Sequence, residues 1–397
     1  MTVFQALPRP SIVLLASVLL AACGGSATSA PAGSSPASAG PSSGQAAPGS
    51  SSAKPAASAS NWQAVVEAAK KEGVVQCGCP PRPDYAKAIK DGFEAANPGI
   101  RLETSPAALP EFWVRVDKEQ SAKQYLWDIY TFGPTIEMFD QKNKGGMESL
   151  RDFMVGPDIG TDADWEGGLS GPFIDNEKKY IFAYLRQLTS TISINRDTLP
   201  NADISSYQQL VDPAYKGKIV WQDPRIGGAG LNFLTAIYDK FGRDGIKKLL
   251  VDQEAFLVKG QNEVADALLR GGKPISLPNM SADTKIQYDK AGVKMNLIER
   301  PLNDVQAISH GGSVVLVLKN PPHPNATKVY VNWVLSKAGQ TVLTNISQFD
   351  SMRKDVQGAG PEIARPKSGE QYTDLHQEPN LTVKAREAQK AAQELVP

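Results

Sequence analysis

The chain carries 42 basic and 42 acidic side chains over 397 residues, with three histidines, three cysteines and a hydrophobic fraction of 41%. That balance, without a long basic run, leaves no electrostatic footprint for nucleic acid. Past the N-terminal segment no apolar stretch approaches the roughly 18 residues that cross a bilayer, so the expected body is soluble.

A single positive residue, Arg9, precedes an apolar run from Ile12 to Ala22. The run has the length of a signal-peptide h-region and is too short for a finished transmembrane helix. It ends in Leu20-Ala21-Ala22-Cys23, which resembles the lipobox of bacterial lipoproteins. That resemblance implies cleavage before Cys23 and acylation of its sulfur, so residues 1–22 are expected as a signal peptide and Cys23 as a membrane anchor. From Gly24 to Ser60 nearly every residue is Ser, Ala, Gly or Pro. With no apolar side chains to bury, nothing offsets the ordering entropy, and residues 23–60 read as a disordered tether averaging roughly 35 Å end to end.

Residues 61–397 exceed what one hydrophobic core usually accommodates, so two lobes are expected. Asn61 can cap a helix over Trp62–Lys71, stopped by Gly73. Val74–Cys77 reads as a buried strand, broken into a loop by Gly78-Cys79-Pro80-Pro81-Arg82-Pro83. Asp84 can cap the next helix, with Tyr85, Ile89, Phe93 and Ala96 at helical spacing, before a strand at Ile100–Glu103. This βαβ opening calls for a parallel pairing. Trp127–Tyr130, Lys179–Leu185, Thr191–Asn195, Ile219–Trp221 and Ser313–Leu318 read as further strands. Leu231–Phe241, the segment holding Val329, Trp333 and Val334, and Lys384–Leu395 read as helices. The alternation is α/β throughout.

With Cys23 assigned to the lipobox, Cys77 and Cys79 remain. One residue apart, they read as small half-buried thiols at a strand end, since a disulfide between them closes only a small strained ring. C-x-C alone is a weak metal signal, and His310, His323 and His376 lie far off in sequence.

Four stretches in order resemble the extracellular solute-binding proteins of ABC importers, in the branch that includes ferric-iron-binding proteins. They are Val65–Gly73 with Phe93–Ile100, Tyr207–Ile219, the glycine loop after Trp221, and His323-Pro324-Asn325-Ala326 with Trp333–Ser336 and Gly339-Gln340. The resemblance implies a type II periplasmic-binding-protein-like fold, two α/β lobes with a hinge and a ligand cleft. Mapped here, one lobe holds 61–184 and 304–355, and the other 185–303 and 356–397. It further implies a monomer that captures a small solute and hands it to a membrane permease, without a cofactor.

The candidate ligand contacts all lie on loops past strand ends, where open α/β sheets bind ligands. Cys79 and Arg82 follow the first strand. Thr131 and Phe132 follow the third. Arg225 with Gly227, Gly228 and Ala229 precedes a helix, where N–H groups and the dipole favour an anion. Asn262, Asn279 and Arg186 complete the set. Each has a plainer counterpart: Arg82 and Arg225 as solvated residues or inter-lobe ion pairs, Phe132 as packing, the asparagines as turn caps. His323 and Trp221 read as structural.

Ferric binders of this branch use two adjacent tyrosines, commonly with a carboxylate and a histidine. Met280-Ser281, Phe132 and Pro80 or Pro81 stand at those places here, so the expected cargo is a small organic solute with an anionic group and no metal. Ferric iron held by other ligands and a ligand sensor for a membrane receptor are the alternatives. No G-x-S-x-G elbow, Walker loop or HExxH is present, so no enzyme is expected.

Overall fold

The structure, a computed structural model, describes residues 56–106, 109–270, 272–367 and 369–396; the expected signal peptide, Cys23 and most of the tether lie outside them. The first helix, Ala56–Glu72, begins ahead of Trp62, so Asn61 lies within it and does not cap it. The strand Val74–Cys79 runs through the expected loop start at Gly78, because both its edges are paired. It lies parallel to Arg101–Pro106 from Val74↔Arg101 to Cys79↔Pro106, and parallel to Ile129–Tyr130 at Cys77↔Ile129 and Gly78↔Tyr130. Between the first two strands runs the helix Pro83–Ala96. Pro83 opens it, where a missing N–H costs nothing, and Asp84 sits in the first turn against the dipole and not at the cap.

The first sheet has the order Arg101–Pro106, Val74–Cys79, Ile129–Tyr130, Val314–Leu318, Met147–Glu148, and Phe182–Ala183 also pairs with Val314–Leu318. Val314–Leu318 is antiparallel to Ile129–Tyr130, so the sheet is mixed. The second has the order Leu297–Pro301, Thr191–Asn195, Ile275–Leu277, Ile219–Gln222, Phe256–Val258, the last three parallel. A small third sheet joins Asp350–Ser351, Leu185–Leu188, Ala307–Ser309 and Thr373–Asp374. It forms where the chain passes from the first sheet to the second and back, with a strand of the C-terminal segment added alongside.

Side chains alternate along a strand, so Val75, Cys77 and Cys79 share one face, and they pack with Ile89, Phe93, Tyr330 and Trp333. That shared face overturns the expectation of free thiols. Cys77 and Cys79 are disulfide-bonded with Cα atoms 5.3 Å apart, and both are fully buried. On the opposite face Gly78 makes room for Phe112, whose ring Cζ would stand 2.4 Å from a Cβ at that position.

The His323-Pro324-Asn325-Ala326 stretch starts the helix Pro324–Leu335 and pins it to two distant elements. His323 donates its backbone N–H to Asp128 Oδ1 (2.7 Å), and its Nδ1 lies 2.8 Å from Oδ2. Burial pushes the Asp128 carboxyl upward, partly offset by the Gln76 N–H and by His323. Glu72, at the end of the first helix, accepts the N–H groups of Asn325 and Ala326 at 3.0 and 2.7 Å. These residues cap and fasten, in keeping with the expectation that His323 is structural.

Candidate functional site

The loops past Ile219–Gln222, Phe256–Val258 and Ile275–Leu277 leave the same edge of the second sheet, because those strands are parallel. A side chain absent from the sequence-based set ties them together. Gln261 donates Nε2–H to Gln222 Oε1 (2.9 Å), and its Oε1 accepts the Ser281 N–H (3.0 Å). Ser281 in turn caps the helix Ala282–Lys290. Gln261 opens the helix Gln261–Leu269, and only the pairing of three strands brings it to the other two loops.

Gly227 and Gly228 have φ of 113° and 71°, in the left-handed region that favours glycine, and they turn the chain into the helix Gly228–Lys247. Gly230 lets that helix close onto the strand, since a Cβ there would lie 2.0 Å from the Gln222 carbonyl oxygen. The first-turn N–H groups, with Ala229, therefore sit beside Gln222 and offer donors to an anion. Arg225 is engaged elsewhere: Nε and one terminal nitrogen grip Asp223 at 2.9 and 2.8 Å, and the other donates to the Val396 carbonyl at 2.7 Å. Asp223 is held below the usual carboxylate range chiefly by that bond. Asn279 donates to Glu299 (2.9 Å), and Asn262 is exposed on its helix.

At the edge of the first sheet Thr131 is fully buried. Its N–H donates to the Gly78 carbonyl (3.0 Å), and its hydroxyl lies 3.1 Å from Tyr184 Oη. Phe132 is half-buried and its carbonyl accepts from Val314. Its ring packs beside Gly312, where a Cβ would meet it at 3.1 Å. Arg82 stacks on the Tyr85 ring, 4.9 Å from its centroid. Cys79 lies fully buried in the core, its sulfur bonded to Cys77.

Arg186 sits on a strand joining the two large sheets and pairs with Glu166 at 3.3 Å. Close by is a buried polar chain that periodicity gives no means of finding. His310 Nδ1 faces the Leu185 carbonyl at 2.8 Å and its Nε2 faces Asp374 Oδ2 at 2.9 Å. Both partners are acceptors, so both ring nitrogens carry protons and His310 is an imidazolium. The His310 N–H donates to His376 Nδ1 (2.9 Å), which places the His376 proton on Nε2, 3.1 Å from Asn232 Oδ1.

The groups gathered at the two loop edges are hydroxyl, carboxamide and backbone N–H, and Thr131 and Tyr184 are themselves fully buried. Among the described residues no group of three or more His, Cys, Asp or Glu is placed to hold a metal ion. Met280 is fully buried against Ala265 and Leu268. A cavity of about 520 Å³ lies elsewhere, walled by Asp239, Asp304, Gln306 and Tyr372, and none of the nominated residues lines it. Asp239 is eleven residues along the helix from Gly228, roughly 16 Å from its N-terminus.

The family model of bacterial extracellular solute-binding proteins matches residues 88–368. The chain belongs to that family. Its location is therefore extracytoplasmic and its role that of a transport component that binds solute. Among the described residues no helix is long and apolar enough to cross a membrane. A comparison with curated proteins returned no match. Solved structures with the same fold include iron-bound HitA from Pseudomonas aeruginosa (TM-score 0.62, 16% identity, 82% of this chain and 99% of that one). Apo ferric ion-binding protein A from Pasteurella haemolytica aligns with TM-score 0.64 at 15% identity, over 81% of this chain and 98% of that one. The substrate-binding protein of an ABC transporter from Agrobacterium tumefaciens gives 0.63 at 15% identity, over 82% and 94%. These likenesses fix the fold as two-lobed and periplasmic-binding-protein-like; at such identities they leave the cargo open.

Proposed function

We propose that this family member is a non-enzymatic, lipid-anchored monomer that traps a small organic solute with an anionic group and delivers it to an ABC permease. The lobes are 61–184 with 304–355 and 185–303 with 356–397, and they close about the segments that cross between the two large sheets. The observation that carries the reading is the pair of loop edges past parallel strands, one per large sheet. Gln222, Gln261, Ser281 and the first turn of Gly228–Lys247 gather on one, and Thr131 with Tyr184 on the other. Arg186 stays in the proposed contact set because it lies on a crossing strand. Arg82, Phe132, Asn262 and Asn279 remain as rim contacts. Cys79 and Arg225 serve by fixing their loops through the disulfide and the Asp223 pair.

Ferric iron is the alternative cargo, favoured by the likeness to ferric-binding structures and opposed by the residues at hand. Hard ferric iron takes phenolate and carboxylate oxygens, whereas Met280 and Ser281 offer a buried thioether and a neutral hydroxyl. One screen separates the two. Organic acids, amines, sugars, phosphonates and ferric iron with an anion are added to the purified body, and its melting is followed. A cognate solute at a hundredfold its Kd stabilises by about 2.7 kcal/mol. A stoichiometric coloured ferric complex, or no shift with any organic class, would overturn the reading.

A further inference from the structure

The C-terminal segment from Thr373 onward touches the surroundings of both large sheets. Thr373–Asp374 adds a strand to the small sheet, beside Ala307–Ser309. Glu378, almost wholly buried, then reaches the first sheet's side of the molecule. Its carboxylate accepts from Lys142 (2.7 Å) and from the Asn176 N–H (2.9 Å), and its own N–H donates to the Ile174 carbonyl (2.8 Å). Lys142 is itself buried on the helix Ile136–Asn143 and also holds Glu177 at 2.6 Å. Arg386 grips Asp140 of the same helix at 2.9 Å.

From Ala385 the chain turns to the other side. Ala388, Ala391 and Ala392 are buried in one cluster with Phe233, Leu234 and Ile237 of the helix Gly228–Lys247. Lys384 pairs with Asp239, Arg243 pairs with Glu394 at 2.6 Å, and Arg225 donates to Val396. One continuous stretch is thus bonded to a helix that follows a strand of the first sheet and to a helix that follows a strand of the second.

We propose that residues 373–396 form a strap that sets the resting angle between the two sheet bodies, with the buried Lys142–Glu378 pair as its latch. This rests on the reading of the protein as a hinged binder. Breaking one partner of a buried pair leaves an uncompensated charge, so the latch resists opening far more than an exposed ion pair would. The strap also meets the loop edge of the second sheet, since Arg225 and Gln389 fasten its end to the segment preceding Gly227.

The test uses the ligand-free protein and needs no cargo. E378Q and K142M are compared with wild type by amide hydrogen exchange and small-angle X-ray scattering. Exchange at 185–190 and 302–309 should rise about tenfold or more as local opening becomes cheaper, and the radius of gyration should grow. Exchange that accelerates only within 375–382, with the crossing segments and radius unchanged, would show that the segment is passive packing. Should the latch variants fail to fold, D140N/R386Q removes only the exposed contact. It should raise exchange in the crossing segments to a smaller degree, and no change there would overturn the strap. Because no solute enters, a negative result here is distinct from failure of the binding reading.

Discussion

Two buried histidines, His310 and His376, differ in what their partners demand of them. Burial alone lowers the His310 pKa, but the Asp374 carboxylate and the Leu185 carbonyl outweigh it and the net shift is upward. Its contribution to stability is complete below the unfolded value of about 6.5 and is lost as pH rises through the raised folded value. His376 goes the other way. Burial first, and the neighbouring imidazolium second, pull it down to about 3. Between about pH 6.5 and that value the unfolded chain takes up a proton that the native site refuses, so the site costs about 1.4 kcal/mol of stability per pH unit. His376→Gln keeps an acceptor for the His310 N–H and a donor for Asn232. Urea unfolding of this variant from pH 7 to 4 should show a shallower loss of stability than wild type. Equal slopes would mean that His376 is not the buried neutral group. None of this is legible in the chain order, because the residues meet only through three strands and a helix that the sequence separates.

Helix ends hold the elements together. The carboxylate of Glu72 terminates one helix and caps another more than 250 residues away, at Asn325 and Ala326. Replacing Glu72 by Ala leaves those N–H groups without their acceptor, and caps of this kind are worth about 0.5–2 kcal/mol. Chemical denaturation should show a loss of that size, and Glu72→Gln, which keeps an acceptor, should recover part of it. An unchanged midpoint in Glu72→Ala would remove the cap from the account. At this scale the strands Thr191–Asn195 and Val314–Leu318 and the C-terminal helix were readable from apolar runs and spacing, nearly to the residue. The misreadings came from contacts with other elements. Pairing on both sides carried Val74–Cys79 through Gly78, and the shared face of that strand brought two thiols together that spacing alone argued apart.

For the whole molecule, the expected export signal and the fold lie in different parts of the chain. The proposed anchor predicts that the full-length protein partitions into detergent after phase separation, and that Cys23→Ala is released to the aqueous phase or accumulates unprocessed. A Cys23→Ala protein that stays processed and membrane-bound would remove the lipid anchor from the reading. The family resemblance rested on Pro, Gly and His placements that terminate or cap elements, and these are local rules that a sequence displays. The balance of 42 basic and 42 acidic side chains argues against a nucleic-acid partner, and the periodicity of apolar residues gave the α/β class. Which side chains converge was decided by tertiary structure alone. Gln261 became the tie between two loops because parallel strands end at one edge, Arg225 is held by Asp223 and the Val396 carbonyl, and Lys142 is buried against Glu378. Hydrogen bonds between residues tens or hundreds of positions apart depend on strand order and register, and those are set by packing of the whole core.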